Sequence, residues 1–322
     1  MEGAHGSGGG GDSLDWASVA SPRGFLRLLQ AALSCAALSL AVHRGGWTFS
    51  YGLLCLGIWA ACLALSAALL VLELSRLSAC LPASWPNLTV SLATLCALLC
   101  ASASVLYPLF SLRAYNCYFR GCESVRTFRI ATCSCSVLAC AAYVLEVAVS
   151  VARPPKSHVA MASLPGLLKV IELFCGAVIL GAVFTGGQHG RFLATHWCIA
   201  VYCACLALTT LLAVLWLRGP ERESVCACGS SPHRASALGT LLSVLLYLSA
   251  AVIWPVYAFD PQYGSPTRPA RCEHERCPWD AHVIVAVFTF INFLVYVLDL
   301  SGTQCAGRAA RTRTALSDVR GV

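Results

Sequence analysis

Charged residues are scarce in this sequence of 322 residues, where they make up only 11% of the chain. Soluble domains carry about a quarter charged residues, so this chain cannot cover a water-facing surface of ordinary size. Hydrophobic residues reach 58%, which indicates that lipid is the solvent for most of the protein. A soluble globular fold is therefore excluded, and a membrane protein is predicted.

Motifs that carry catalysis are also lacking. The sequence has no glycine-rich phosphate loop, no His-Glu-x-x-His and no nucleophile elbow. We therefore expect no enzyme, no catalytic residues, no cofactor and no metal site.

Lysine is nearly absent, and Lys156 and Lys169 are its two occurrences. The net charge of +7 is thus carried almost wholly by arginine. These arginines are scattered through loops and the C-terminal segment, without a basic helix or an aromatic RNA-binding signature. We expect no nucleic-acid partner.

The N-terminal residues lack a basic region followed directly by an apolar stretch, so they do not resemble a cleaved signal peptide. Residues 8–11 are all glycine, and residues 1–18 are predicted to form a disordered, glycine-rich tail. The first apolar segment then serves as its own signal anchor.

Eight apolar segments are each long enough to cross the hydrocarbon core as a helix, which takes about 20 residues. Runs of this length, without the alternation of a membrane β-barrel, favour helices. The predicted spans lie near residues 24–42, 53–72, 88–107, 128–149, 165–184, 196–217, 236–256 and 282–300.

The eight spans form two copies of a four-span unit. Residues 24–30 are matched by 166–172, residues 102–108 by 249–255, and residues 143–146 by 296–299. The matches keep their order at offsets of 142, 147 and 153 residues. The sequence predicts one bundle over 19–154, a second over 159–304, and a tail over 305–322.

An even number of spans per copy means that both copies enter the membrane from the same side. This parallel duplication differs from the inverted repeats of many ion-coupled transporters. A channel or transporter built from two parallel four-helix repeats remains the alternative function, because some transporters also have parallel halves.

Orientation follows from the loop charges and the cysteines. With both termini in the cytoplasm, eleven arginines and lysines lie inside and eight outside, a small bias in the expected direction. Two C-x4-C pairs occupy matching outer loops, and we expect the disulfides Cys117–Cys122 and Cys272–Cys277 there. Four unpaired thiols are the alternative, and a metal site with His274 fits zinc spacings poorly.

Two further sequence features lie on the predicted cytoplasmic side. Cys226 and Cys228 lie in the loop between the sixth and seventh spans, close to the membrane, and are candidates for palmitoylation. Reduced thiols are the alternative. Asn87 begins a glycosylation sequon, which we expect to be unused because it lies at the mouth of the third span on that side.

Charged residues within the spans cluster at the same depth in both copies. Arg27 lies near the start of the first span and Glu146 near the end of the fourth. Lys169 and Asp299 lie at the equivalent positions of the fifth and eighth spans. Because charge in the membrane is costly, we predict the ion pairs Arg27–Glu146 and Lys169–Asp299 within the bundles. Side chains that reach separately to the headgroups are the alternative.

Two other patterns concern the shape of the spans. Pro108 and Pro255 each follow an aromatic residue and are predicted to end the third and seventh spans. Small residues are frequent, as in residues 61–67 and 133–136, and could pack helices together or lie against a flat sterol.

Four-span units with a cysteine pair in the second outer loop resemble MARVEL domains. Residues 164–172, 243–247, 253–257, 277–280 and 291–299 further resemble the myeloid-associated differentiation marker family, with a divergent start and end that favour a marker-like paralogue. The resemblance covers roughly residues 20–303.

The resemblance implies a non-enzymatic, multi-pass plasma-membrane protein of cholesterol-rich membrane domains, with roles in trafficking or cell contact. Its expected partners are membrane lipids, including cholesterol, other membrane or trafficking proteins, and further copies of itself.

Overall fold

The structure is a computed structural model that describes residues 20–43, 51–77, 84–112, 122–152, 160–186, 192–218, 232–269, 272 and 277–320. Within these ranges the chain forms eight α-helices and one short 3-10 turn, Ala160–Ala162, and no strand. The helices are α1 Pro22–His43, α2 Gly52–Leu74, α3 Trp85–Ser111, α4 Cys122–Ala152, α5 Leu164–Gly186, α6 Leu193–Arg218, α7 Pro232–Phe259 and α8 Pro278–Arg320.

Each of these helices is long and apolar enough to span a membrane. Helices are suited to the hydrocarbon core of a membrane because they satisfy their backbone hydrogen bonds internally. The predicted all-α fold with eight spans is therefore confirmed. The backbone of α8 continues as helix to Arg320, well beyond its predicted span, whereas the glycine-rich residues 1–18 lie outside the described part of the chain.

The helices pack as two closed rings of four. In the first bundle α1 packs on α2 and α4, and α3 closes the ring between them; α5 to α8 repeat this arrangement. The predicted tandem four-helix bundles are thus confirmed. Because each bundle has four helices, α1 and α5 begin at one membrane face, which we call the first face; the opposite one is the second face.

Aromatic side chains fill the bundle interiors, whereas leucine and valine dominate the outside. Trp59 and Tyr107 pack with ring centroids 5.2 Å apart in the first bundle, and Tyr247 and Tyr296 pack 5.1 Å apart in the second. The outer surfaces carry exposed residues such as Leu245. This distribution suits bundles surrounded by lipid, where an apolar exterior has no cost.

The two prolines do not end their helices as predicted. Pro108 lies inside α3, which continues to Ser111, and Pro255 lies inside α7, which continues to Phe259. A proline removes one backbone donor, but the following residues can still close the last turn: the Leu112 amide donates to the Pro108 carbonyl over 3.1 Å. The helix ends come one turn later.

A polar seam joins the two bundles at the first face. The Asn87 side chain is fully buried; its amide donates to the Trp216 carbonyl over 3.3 Å, and its oxygen accepts from the Met161 amide over 3.1 Å. The Ser84 amide also donates to the Leu217 carbonyl over 2.9 Å. The sequon asparagine therefore ties the start of α3 to the end of α6 and to the 3-10 turn.

The bundles also come close at the second face. Tyr51, just before α2, lies near the carboxylate of Asp280 at the start of α8. Burial, and then this carboxylate, raise the pKa of Tyr51. Electrostatic interaction between the bundles therefore extends to the second face.

Replacing Asn87 should weaken the seam. Asn87→Ala leaves a buried carbonyl and a buried amide unpaired, so we expect the free energy of unfolding to fall by about 1–3 kcal/mol. Thermal unfolding in detergent measures this. The control is Ser102→Ala, because the Ser102 hydroxyl bonds only the Leu98 carbonyl of its own helix. Equal losses in the two variants would contradict a structural role for Asn87.

Candidate functional site

The buried charges of the first bundle form one cluster at the first face. Arg27 Nε lies 2.9 Å from Glu146 Oε1, and Arg27 Nη1 contacts Glu73 Oε2. Gln30 Nε2 donates to Glu146 Oε2 over 2.8 Å and to the Ala142 carbonyl over 3.3 Å. The cluster therefore holds α1, α2 and α4 together, and both oxygens of Glu146 have donors.

The second bundle has an equivalent cluster that is more deeply buried. Lys169 Nζ lies 2.7 Å from Asp299 Oδ2 and 3.0 Å from Glu172 Oε2, with all three side chains at 0% exposure. Lys169 also donates to the Thr240 hydroxyl over 3.0 Å, and that hydroxyl donates to Asp299 over 3.1 Å. This cluster joins α5, α7 and α8.

The structure thus brings together the residues of both predicted ion pairs, Arg27 with Glu146 and Lys169 with Asp299. Sequence reasoning missed Glu73 as a second partner of Arg27, and it missed Thr240. Glu73 could have been found, because it is a carboxylate at the first-face end of an otherwise apolar span. Thr240 carried no such signal, since one threonine in a span is unremarkable.

Hydrogen bonds in the middle of each bundle repeat the same geometry. Ser66 Oγ lies 2.7 Å from the Tyr143 hydroxyl, and Thr209 Oγ1 lies 2.7 Å from the Tyr296 hydroxyl. A second pair of contacts is equivalent: Trp59 with Ser136 at 3.0 Å, and Tyr202 with Thr289 at 2.9 Å. They fix the second helix of each bundle against the fourth.

At the second face, a compact cap follows α7. Cys272 and Cys277 are joined by a disulfide, as expected. Arg268 pairs with Asp280 through two contacts of 3.0 and 3.1 Å. Cys117, the palmitoylation candidates Cys226 and Cys228, and His274 of the metal alternative lie outside the described residues. Cys122 begins α4, so the expected Cys117–Cys122 disulfide stays a prediction.

The chemistry available to this arrangement is mainly electrostatic. Among the residues that the structure describes, no group of three or more His, Cys, Asp or Glu side chains is placed to hold a metal ion. The clusters neutralise charge inside the bundles and position helices. The Glu73 side chain, at 24% exposure, is the part of the first cluster open to the surroundings.

Comparisons with known proteins place these features in a family. Myeloid-associated differentiation marker-like protein 2 of Homo sapiens is 43% identical over 296 residues, covering 92% of this chain and 95% of that relative. The chain belongs to the myeloid-associated differentiation marker family. The marker itself from Homo sapiens is 38% identical over 290 residues, covering 88% of this chain and 87% of the relative.

Other matches agree with this membership. The marker homolog of Xenopus laevis is 35% identical over 292 residues, covering 88% of this chain and 92% of that relative. A family model of the membrane-associating MARVEL domain matches residues 160–301. No solved structure matches the chain. This family member is therefore an integral, multi-pass membrane protein.

The Arg27 cluster should be essential to stability. Arg27→Met leaves two carboxylates without their cation, so we expect a loss of about 3–5 kcal/mol in the free energy of unfolding. Adding Glu146→Gln should restore part of it, because one of those charges is removed. Thermal unfolding in detergent measures both variants.

The matched control is Arg268→Met, because Arg268 and Asp280 are 38% and 39% exposed and such pairs contribute roughly 0–1 kcal/mol. If Arg27→Met loses as little stability as the control, the buried pair is not important for folding. The same conclusion follows if the double variant is less stable than Arg27→Met alone.

The disulfide at the second face can be tested by alkylation. Cys272 and Cys277 should react with a maleimide only after reduction, because their thiols are joined. Mass spectrometry of the digested protein identifies the labelled peptides. The same protein after reduction serves as the control for reagent access, because both thiols should then be labelled. Labelling of Cys272 before reduction would exclude the bond.

Proposed function

We propose that this protein organises cholesterol-rich domains of the plasma membrane without catalysis, and that it serves trafficking or cell contact in this way. The separation of polar side chains inside the bundles from apolar side chains outside supports the proposal. The charged clusters of the described spans lie inside the bundles, whereas the outer surface is mainly apolar. Its interactions in the membrane are therefore expected at the lipid-facing surface.

The feature that carries the proposal is a face of small residues on the outside of α2. Its members recur every three or four residues, as on one side of a helix, and all are exposed: Gly57, Ala60, Ala61, Ala64, Ala67 and Ala68. With a rise of 1.5 Å per residue the face is about 17 Å long. We call it the α2 small face.

The duplication provides a second such face on α6. The equivalent exposed positions hold Ala200, Cys203, Ala204, Ala207 and Thr210, followed by Leu211. In contrast, α7 presents bulky side chains outward, with Leu241, Leu245 and Val252. Exposed small residues also occur on other helices, as Ala32, Cys35 and Ser39 do on α1, but α2 and α6 carry the larger sets.

A face without long side chains lets a rigid partner come close to the helix backbone, which strengthens van der Waals contact. A flat sterol ring system has this shape, and so does a small-residue face of another helix. We assign the sterol as the occupant, because the two faces are apolar and lie along the hydrocarbon core. Self-association of the protein through the same faces is the competing occupancy.

We further propose that the first face is cytoplasmic, with both termini there. The loop-charge bias supports this orientation, and so does the disulfide at the second face, since disulfides persist in oxidising compartments.

The test is photo-crosslinking with a diazirine analogue of cholesterol, combined with partitioning in phase-separated plasma-membrane vesicles. Wild type should be labelled on α2 and α6 and should enrich in the ordered phase. The triple variant Ala60→Leu, Ala64→Leu and Ala67→Leu should lose most labelling on α2, because leucine fills the face. Peptide mapping by mass spectrometry locates the label.

The control adds the same bulk elsewhere: Ala101→Leu on α3 with Ala141→Leu and Ala148→Leu on α4, all at exposed positions, should leave labelling unchanged. Equal labelling of all three proteins, or an even distribution between phases that cholesterol removal does not alter, would contradict the proposal. Flux of ions or small solutes through liposomes containing the protein would instead favour the channel or transporter alternative.

A further inference from the structure

The charges of the second-bundle cluster do not balance. Lys169 provides one positive charge, whereas Glu172 and Asp299 provide two negative charges, and all three side chains have 0% exposure. An uncompensated charge buried at low dielectric is strongly unfavourable. The cluster therefore requires one more positive charge than the described side chains around it supply.

Other titratable groups do not supply it. Besides Lys169 and Asp299, the titratable groups that interact electrostatically with Glu172 are thiols and phenols from the surrounding helices: Cys175 on α5, Cys205 on α6, Tyr247 on α7 and Tyr296 on α8. These groups are neutral or negative, so none offsets the excess. Lys169 is the cation of the cluster, and its three donors are engaged with Glu172, Asp299 and Thr240.

Unpaired oxygens accompany the missing charge. Glu172 Oε1 and Asp299 Oδ1 are buried and accept no hydrogen bond of ordinary length and angle, although the Thr209 hydroxyl, which contacts Tyr296, lies close enough to interact with Glu172. The hydroxyl of Ser236, a residue at 2% exposure, has no hydrogen-bond partner. The Thr240 hydroxyl contacts both Lys169 and Asp299. The two carboxylate oxygens in the cluster can thus coordinate a cation, and the Ser236 hydroxyl lies one helical turn from Thr240 on the same side of α7.

The first bundle shows how the same position is satisfied without a cation. Gln30 stands where the second bundle has Glu172, and its amide donates to Glu146 Oε2 over 2.8 Å. The carboxylate at position 172 cannot donate in this way. The second carboxylate of the first cluster, Glu73, is partly exposed, so that charge can be solvated. Only in the second bundle is the surplus charge fully enclosed.

We propose that the Lys169–Glu172–Asp299 cluster binds one small monovalent cation, a proton or a sodium ion, which neutralises its surplus negative charge. A proton converts one carboxylate into a neutral carboxylic acid that can donate a hydrogen bond. A sodium ion is instead coordinated by the unpaired oxygens. Either cation stabilises the contact between α5 and α8. This inference is independent of the membrane-organising function, because the cluster lies inside the bundle and away from both small faces.

The test is thermal unfolding of the full-length protein in detergent. One series varies pH at constant sodium, and the other replaces sodium by N-methylglucamine at constant pH and ionic strength. A cation that binds the folded state more tightly than the unfolded state stabilises it increasingly as the logarithm of its concentration rises. For a proton this holds above the ordinary pKa of a glutamate, about 4.3, because below it the unfolded chain binds the proton as well. We expect Tm to fall by roughly 2–4 °C for each tenfold decrease in the free concentration of that cation.

The variant Glu172→Gln places an amide where Gln30 stands in the first bundle, so it should fold and lose this dependence. Asp299→Asn is the second variant should the first misfold. Glu73→Gln is the matched control, because it removes a carboxylate from the first cluster and should keep the dependence of wild type.

A pH dependence that disappears in Glu172→Gln assigns the proton, and a sodium dependence that disappears assigns the sodium ion. Wild-type protein whose Tm responds to neither cation would overturn the proposal. A response of equal size in wild type and Glu172→Gln would overturn it too, because the responding group would then lie elsewhere.

Discussion

The constraint on which this structure depends is that charge inside a membrane-spanning bundle has to be neutralised by neighbouring side chains. Arg27 and Lys169 enter the hydrocarbon region on the first helix of each bundle, where isolated charge is costly. Their carboxylate partners come from the last helix, Glu146 and Asp299, at 2.9 and 2.7 Å. Each pair therefore closes a ring of helices by joining its first member to its fourth.

The two bundles satisfy this constraint differently, although they descend from one repeated unit. In the first, α2 contributes Glu73 to the cluster; at the matching position α6 has Trp216, whose carbonyl accepts from Asn87 at the seam. The end of the second helix thus closes an ion cluster in one bundle and joins the bundles in the other. A duplicated architecture has acquired two separate uses for equivalent positions.

Sequence alone predicted the features that depend on composition and repetition. Eight spans follow from run lengths, and the closeness of Arg27 to Glu146 follows from equal depth in both copies. The seam was missed because Asn87 carried a sequon signal and its partners are backbone groups, which any sequence supplies. The helix ends after Pro108 and Pro255 were misplaced because a proline removes one donor without preventing a final turn.

Small residues can face lipid in α2 because hydrogen bonds help to hold this helix in its bundle. In lipid, helices associate chiefly through close packing of small residues and through hydrogen bonds. The inward face of α2 includes the bulky Ile58 and Trp59, and its attachment to α4 includes the Trp59–Ser136 and Ser66–Tyr143 hydrogen bonds. Because polar contacts help to hold the bundle, the α2 small face is not buried against the other helices. That surface remains accessible, which is the condition that any sterol or helix bound there would require.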